Sequence, residues 1–363
     1  MRALRFAVLV AVSAALSLAA RAEEEKVLNV YNWSDYITEE ALKAFTEKTG
    51  ITVNYDVYDA NEILDAKLLA GNSGYDVVFP SATPYFAKQI EAGAYQKLDR
   101  GKLSNFARIA PQVLEQLKVA DPENAYGVPY MMAGTGVGYN VDKVTALLPD
   151  APVGSLAMLF DTAALAKLEP CGVSLLDAPE EVFPAALAWL GGNPNSTSDD
   201  DLKRAGEVIA KARPHYRYLH SSTYINDLAN GATCVAMGYA GDLVQARERA
   251  KEANNGVDIA IFLPREGAAF NVDVMAIPKD APHPDNAHKF IDYILTPEVI
   301  GPISTAVGYA NAVPASLPFM DEAIRNDPAV NPSAEVKLYT FPVVSDDFER
   351  KRNRAWSRVK ARR

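Results

Sequence analysis

The tightest constraint on the fold is an alternation of apolar periods that begins near residue 27 and repeats along the chain. Val27 to Tyr31 reads as a strand, and Thr38 can cap a helix with Glu39 and Glu40 in its first turn, Ala41, Leu42 and Phe45 on one face, and Gly50 as its stop. Ile51, Val53, Tyr55 and Val57 then alternate with polar residues, as a half-buried strand does. A second helix fits Asn61 to Ala70, ended by Gly71, and the short apolar run Asp76 to Phe79 leads into Pro80 and Ser81. Strands and helices in strict alternation argue for an α/β chain whose mostly parallel sheet is covered on both faces.

At 363 residues the chain exceeds one ordinary core and suits two domains. Arg2 and Arg5 precede an apolar run from Phe6 to Ala20, and Ala20-Arg21-Ala22 offers the small residues a signal peptidase reads, so residues 1–22 are expected to be a cleaved secretory signal. No Cys stands at that junction, which argues against a lipid anchor, and no later apolar run reaches the ~20 residues of a membrane span. The net charge of −10 includes three Arg in that leader, so the remainder is more acidic still, which disfavours nucleic acid and suits a cationic partner. Cys171 and Cys234, the only cysteines, are expected to pair in an oxidising compartment. The basic run from Arg350 to Arg363 reads as a helix with Phe348, Trp356 and Val359 on its apolar stripe and its charges in water.

Chemistry-bearing residues gather where strands should end. Trp33, Asp35 and Tyr36 lie just past the first strand, at the edge where open α/β sheets present ligand-binding groups. An aromatic face and a nearby carboxylate together suit an organic ammonium. Ser81 falls at the same edge, either as a ligand contact or as the cap of the next helix. The pattern recurs at Tyr239 and Asp242 after the buried strand Cys234 to Tyr239, again in Phe270-Asn271-Val272-Asp273, and with the aromatic Tyr309. Glu180 and Glu181 sit in the first turn of a helix, where the helix dipole alone accounts for them. Gly134, Gly136 and Gly138 miss the dinucleotide spacing and read as a flexible crossover between domains. There is no G-x-S-x-G elbow and no H-E-x-x-H, and of the four His, His283 and His288 read as surface residues, so an enzyme is not expected.

Taken together, Asn32-Trp33-Ser34-Asp35-Tyr36-Ile37, Pro80-Ser81-Ala82, Asp177 to Phe183, His220 to Gly231, Gly238 to Asp242 and Tyr309 to Ala312 resemble the periplasmic polyamine-binding proteins of bacterial ABC transporters, above all their putrescine-binding branch. The resemblance spans nearly the whole chain after the leader. It implies a type II periplasmic-binding-protein fold: two α/β lobes, each a mostly parallel sheet flanked by helices, joined by crossover strands. The expected division is 23–133 and 257–305 for one lobe, 134–256 and 306–363 for the other. The implied pocket has Trp33, Tyr36 and Tyr309 as walls, Asp35, Asp242 and Asp273 as main ammonium partners, and Ser34, Ser81, Glu181 and Ser222, or Ser221 in place of Ser222, as polar contacts. The family's disulfide falls on Cys171 and Cys234. Two wall positions depart from the family, which carries Trp where Tyr239 stands and an aromatic where Asn271 stands. The implied protein is a periplasmic monomer that hands a di- or polyamine to an ABC permease, with no cofactor, metal or nucleic acid; a receptor for another cationic solute, such as a guanidino compound, or a ligand sensor for a membrane receptor, are the alternatives.

Overall fold

A computed structural model describes residues 24–332 and 335–362; the expected signal segment and its cleavage site lie outside the described residues. The opening elements form where the sequence reading puts them. Thr38 Oγ1 accepts the Ala41 N–H at 3.2 Å, the helix Glu39–Thr49 buries Ala41 and Phe45, and Gly50 ends it at φ 72°. The preceding strand β1 (Val27–Trp33) pairs in parallel with β2 (Thr52–Tyr58) and β3 (Val77–Val78).

The remaining strands are β4 (Gly127–Asn140), β5 (Val173–Leu175), β6 (Tyr216–Leu219), β7 (Val235–Tyr239), β8 (Ile259–Phe262), β9 (Ala268–Ala276), β10 (Ala310–Asn311) and β11 (Leu338–Tyr339). Their spatial order runs β2-β1-β3-β9-β4-β7-β5-β6, with β8 and β10 beside β4 and β11 beside β9. The long strand β4 makes two lobes out of this order. Its first half, Gly127 to Gly134, pairs antiparallel with β9, while Thr135 to Asn140 pairs antiparallel with β7 and β8. Two cores follow. One combines residues from Leu28 to Met131 with those from Val272 to Val313. The other combines Val137 to Ile259 with Phe348, Trp356 and Val359 of the C-terminal helix Asp346–Lys360.

That terminal helix buries its apolar stripe as expected, and Trp356 Nε1 donates to Asp177 Oδ1 at 2.6 Å. The disulfide Cys171–Cys234 is formed and joins the residues just ahead of the neighbouring parallel strands β5 and β7. No helix among the described residues is long and apolar enough to cross a membrane.

Several boundaries differ from the sequence reading. β8 hydrogen-bonds to the second half of β4, and Ile259 belongs to the second core, so the return crossing falls in β9 rather than at 257. Val307, Tyr309, Ala312 and Val313 pack into the first core, which therefore continues past 305. An apolar strand such as β8 satisfies its backbone only beside a partner, and it finds one in Val137 to Asn140 of β4. The crossover glycines do not form a bend. A Cβ on Gly136 would stand 2.8 Å from the Phe262 carbonyl oxygen and one on Gly138 2.8 Å from the Leu243 side chain, so glycine here admits close neighbours in a continuous strand. His288 is buried rather than on the surface, its Nε2 accepting the Asp99 N–H at 2.9 Å. His283, mostly shielded, sets its Nδ1 3.0 Å from Asp76 Oδ2.

Candidate functional site

Strand ends and helix starts from both lobes face one cavity, part of it open to solvent. From the first lobe come Trp33 at the end of β1, Ser34 and Tyr36 past it, and Ser81 past β3. Tyr309 follows the helix Pro297–Val307. From the second lobe come Glu180 and Glu181 in the first turn of the helix Pro179–Trp189, Ser221 and Ser222, Tyr239 at the end of β7, and Asp242 in the first turn of Ala240–Ala253. Asn271 and Asp273 stand two apart on β9 and so share one face, which lines the cavity.

The two aspartates are held alike, each by two hydroxyls. Asp273, 6% exposed, accepts from Tyr36 Oη at 2.7 Å and from Ser81 Oγ at 2.7 Å. Asp242 accepts from Tyr224 Oη at 2.6 Å and from Tyr309 Oη at 2.8 Å. The second of these bonds joins the lobes, since Tyr309 belongs to the first core. It depends on Gly241, because a Cβ there would lie 2.1 Å from the Tyr309 ring. Tyr36 and Tyr309 meet edge to face at 5.1 Å, so the two acid holders also brace each other. Trp33 is fixed by its indole N–H, which donates to the Phe79 carbonyl at 2.8 Å, and it packs on Tyr58 at 4.7 Å.

Burial sets the acidity of this cavity. It pushes Asp242 and Asp273 up to about 6, against the downward pull of their hydroxyl donors. Glu181, 3% exposed, is pushed up to about 7 by burial, although Thr135 Oγ1 donates to its Oε2 at 2.8 Å. Asn271 Nδ2 reaches Glu181 Oε1 at 3.5 Å. Glu180 is raised as well, by burial and then by the neighbouring charge of Glu62. No Lys, Arg or His among the described residues lines the cavity. Nor do three acid, His or Cys side chains converge tightly enough to hold a metal ion among the described residues, so the carboxylates are spread rather than clustered.

Of the residues singled out in the sequence, all but Asp35 line the cavity. Asp35 has a left-handed backbone, φ 54°, and its side chain, 47% exposed, takes the Arg249 guanidinium at 2.9 Å instead. Ser81 is not a helix cap through its side chain; its hydroxyl serves Asp273. Ser222 and Thr223 give their side chains to no cap either, and their N–H groups donate to His220 Nδ1 at 3.1 and 3.2 Å. Sequence reasoning missed Glu180, Tyr58, Tyr85 and Phe341 as lining residues and Tyr224 and Thr135 as holders of acids.

Comparison with known proteins agrees with this architecture. Residues 40–332 match the family model described as bacterial extracellular solute-binding protein. A putrescine-binding periplasmic protein of Pseudomonas aeruginosa is 49% identical over 345 residues, 94% of each chain. A putrescine-binding periplasmic protein of Escherichia coli is 48% identical over 351 residues, 96% of this chain and 95% of that one. Among solved structures, a putative spermidine/putrescine ABC transporter protein from Listeria monocytogenes superposes with a TM-score of 0.83 at 27% identity, covering 93% of this chain and 100% of that one. Two α/β lobes joined by long crossover strands around an acid-lined cavity, together with these matches, make the chain a member of the bacterial extracellular solute-binding proteins.

Proposed function

We infer that the protein captures a linear di- or polyamine between its lobes outside the cytoplasmic membrane and delivers it to an ABC permease. One observation carries this reading: both lobes contribute carboxylates to a cavity that no cationic side chain among the described residues lines. A diamine is a methylene chain with a cation at each end, so it fits flat apolar walls and spaced acids. A ligand bearing a carboxylate would call for a facing Arg.

In this reading Trp33, Tyr36, Tyr239 and Tyr309 flank the methylenes, Asp242, Asp273 and Glu181 take the ammonium groups, and Ser34, Ser81, Ser222 and Asn271 are further polar contacts. Each ammonium–carboxylate hydrogen bond contributes about 1.5–3 kcal/mol. An ammonium also relieves the cost of burying the acids, the same cost that raises their pKa values. A ligand touching both lobes binds the closed arrangement better than an open one and shifts the population toward it. The polyamine names of the relatives support the ligand class, and their periplasmic location supports a periplasmic one here. Release from the leader after Ala22, without a lipid anchor, and action as a monomer complete the proposal.

The test is isothermal titration calorimetry on refolded, ligand-stripped mature protein with putrescine, cadaverine, spermidine, spermine and agmatine at one fixed salt concentration. Tight binding of at least one is expected; silence from all five would overturn the reading.

A further inference from the structure

Two buried groups that the amine site leaves unused lie behind its wall. Glu180 borders the cavity, but its Oε2 is buried and finds no donor among the described residues. Arg352, on the C-terminal helix, is 9% exposed, and its Nε–H, also buried, finds no acceptor among them. A buried carboxylate and a buried guanidinium are each costly alone.

The packing brings the two together. Arg352, Trp356 and Lys360 stand four apart and so share one face of the helix Asp346–Lys360. That face closes on the start of the helix Pro179–Trp189. Trp356 Nε1 and Lys360 Nζ both donate to Asp177 Oδ1, at 2.6 and 3.1 Å, and the Trp356 ring meets that of Phe183 at 6.2 Å. Arg352 lines a second, smaller cavity with Phe183 and Pro184, which lie three and four residues beyond Glu180 and share its side of the helix. Pro84 and Phe341 border both cavities, so Arg352 stands behind the wall to which Glu180 and Glu181 belong. Its charge reaches Glu180, Glu181 and Tyr85 alike, favouring the ionised form of each against burial. Glu62, from the helix Asn61–Leu69, and Glu181, from the same turn, oppose it at Glu180. On its own helix Arg352 has Glu349 one turn back, already paired with Lys88.

We propose that Arg352 is a positioning residue of the amine site: its guanidinium pairs with Glu180 from behind the wall and holds the first turn of that helix with Glu181 facing the ligand. Arg352 touches no ligand and acts through the two glutamates. Paired in this way, Glu180 is drawn back from the cavity, and Glu181 gives up its proton more readily to an arriving ammonium. The assignment rests on the polyamine reading and extends it to a residue outside the cavity.

The test is putrescine calorimetry on the full mature chain at pH 7 in two buffers of different ionisation enthalpy, which yields affinity and proton release together. Arg352→Met keeps an apolar stem and removes the charge. Glu181, which titrates near 7, then holds its proton more firmly. This variant should release more protons on binding and bind about threefold or more weakly, the equivalent of about half a pKa unit. Arg352→Lys should restore both quantities. Glu180→Gln should move proton release the other way, to fewer protons, because Arg352 then acts on Glu181 without its counter-charge. That variant keeps the side-chain shape and answers the question if Arg352→Met does not fold. Lys351→Met, which removes a neighbouring charge held by Asp199 and Asp347, should change neither quantity. Unchanged proton release in either Arg352→Met or Glu180→Gln, or an equal change in Lys351→Met, overturns the role. If wild-type protein binds no amine, the polyamine reading fails instead, and urea unfolding reads the pair alone: the stability losses of Arg352→Met and Glu180→Gln should overlap in the double variant, and strict addition overturns the pairing.

Discussion

Asp273 and Asp35 both belong to the first lobe, and both were expected to meet an ammonium, but they live in opposite surroundings. Asp273 is buried between two neutral hydroxyl donors that leave its charge uncompensated. Asp35 sits at the rim, half-exposed, with its charge matched by Arg249 of the other lobe. A carboxylate with a cation already at hand offers little to a second one, whereas a buried one holding only hydroxyls gains most from an incoming ammonium. The difference separates recognition of the ligand from closure over it.

The contrast is broken most severely by neutralising the buried acids. Asp273→Asn and Asp242→Asn should each weaken putrescine at least hundredfold, about 3 kcal/mol, since an ammonium then enters a desolvated site without its counter-charge. Calorimetry reads the loss, and circular dichroism checks that the fold persists. Affinity within threefold of wild type in both variants would remove the aspartates from the site.

Acid should act on the same groups more gently. Asp242 and Asp273 titrate near 6 and Glu181 near 7, raised by burial, while an alkyl ammonium stays charged throughout this range. Amine affinity should therefore fall at least tenfold between pH 8 and pH 5. Stability of the ligand-free protein should move the opposite way. Its folded state binds more protons than the unfolded chain between about pH 4 and pH 7, so stability declines as pH rises through that window, and bound amine should flatten the slope. Urea titrations at several pH values, with and without ligand, follow both trends.

The sequence carries much of this arrangement because strand ends are local. The β1 exit with Trp33 and Tyr36, the β7 exit with Asp242, and the spacing of Asn271 and Asp273 all follow from apolar periods read over a few residues. What it hides depends on distant partners. Asp35 pairs with a residue 214 positions away, and its left-handed backbone turns it off the path that Trp33 and Tyr36 take. Glu180 has a sufficient local explanation in its helix start, so nothing in the sequence marks it as facing a cavity. Tyr309 joins the first core by tertiary packing, and β8 joins the second by pairing with β4; neither choice is written in composition.

The rim pair gives the smallest effect and sharpens the comparison most. Arg249 is held on the second lobe by Asn226 Oδ1 at 2.8 Å, and from the same helix Gln245 reaches the Val307 carbonyl of the first lobe at 3.0 Å. The Asp35–Arg249 bridge thus adds one exposed ion pair to an interlobe contact that already has a neutral component. Exposed pairs contribute about 0.2–1 kcal/mol, so Asp35→Asn should change amine affinity no more than about fivefold. The change should appear as faster dissociation in stopped-flow measurements, because the bridge exists only while the lobes are together. Raising salt should speed release from wild-type protein through screening of this pair and affect the variant less. A hundredfold loss of affinity in Asp35→Asn would instead put that carboxylate on the ligand and erase the distinction from Asp273.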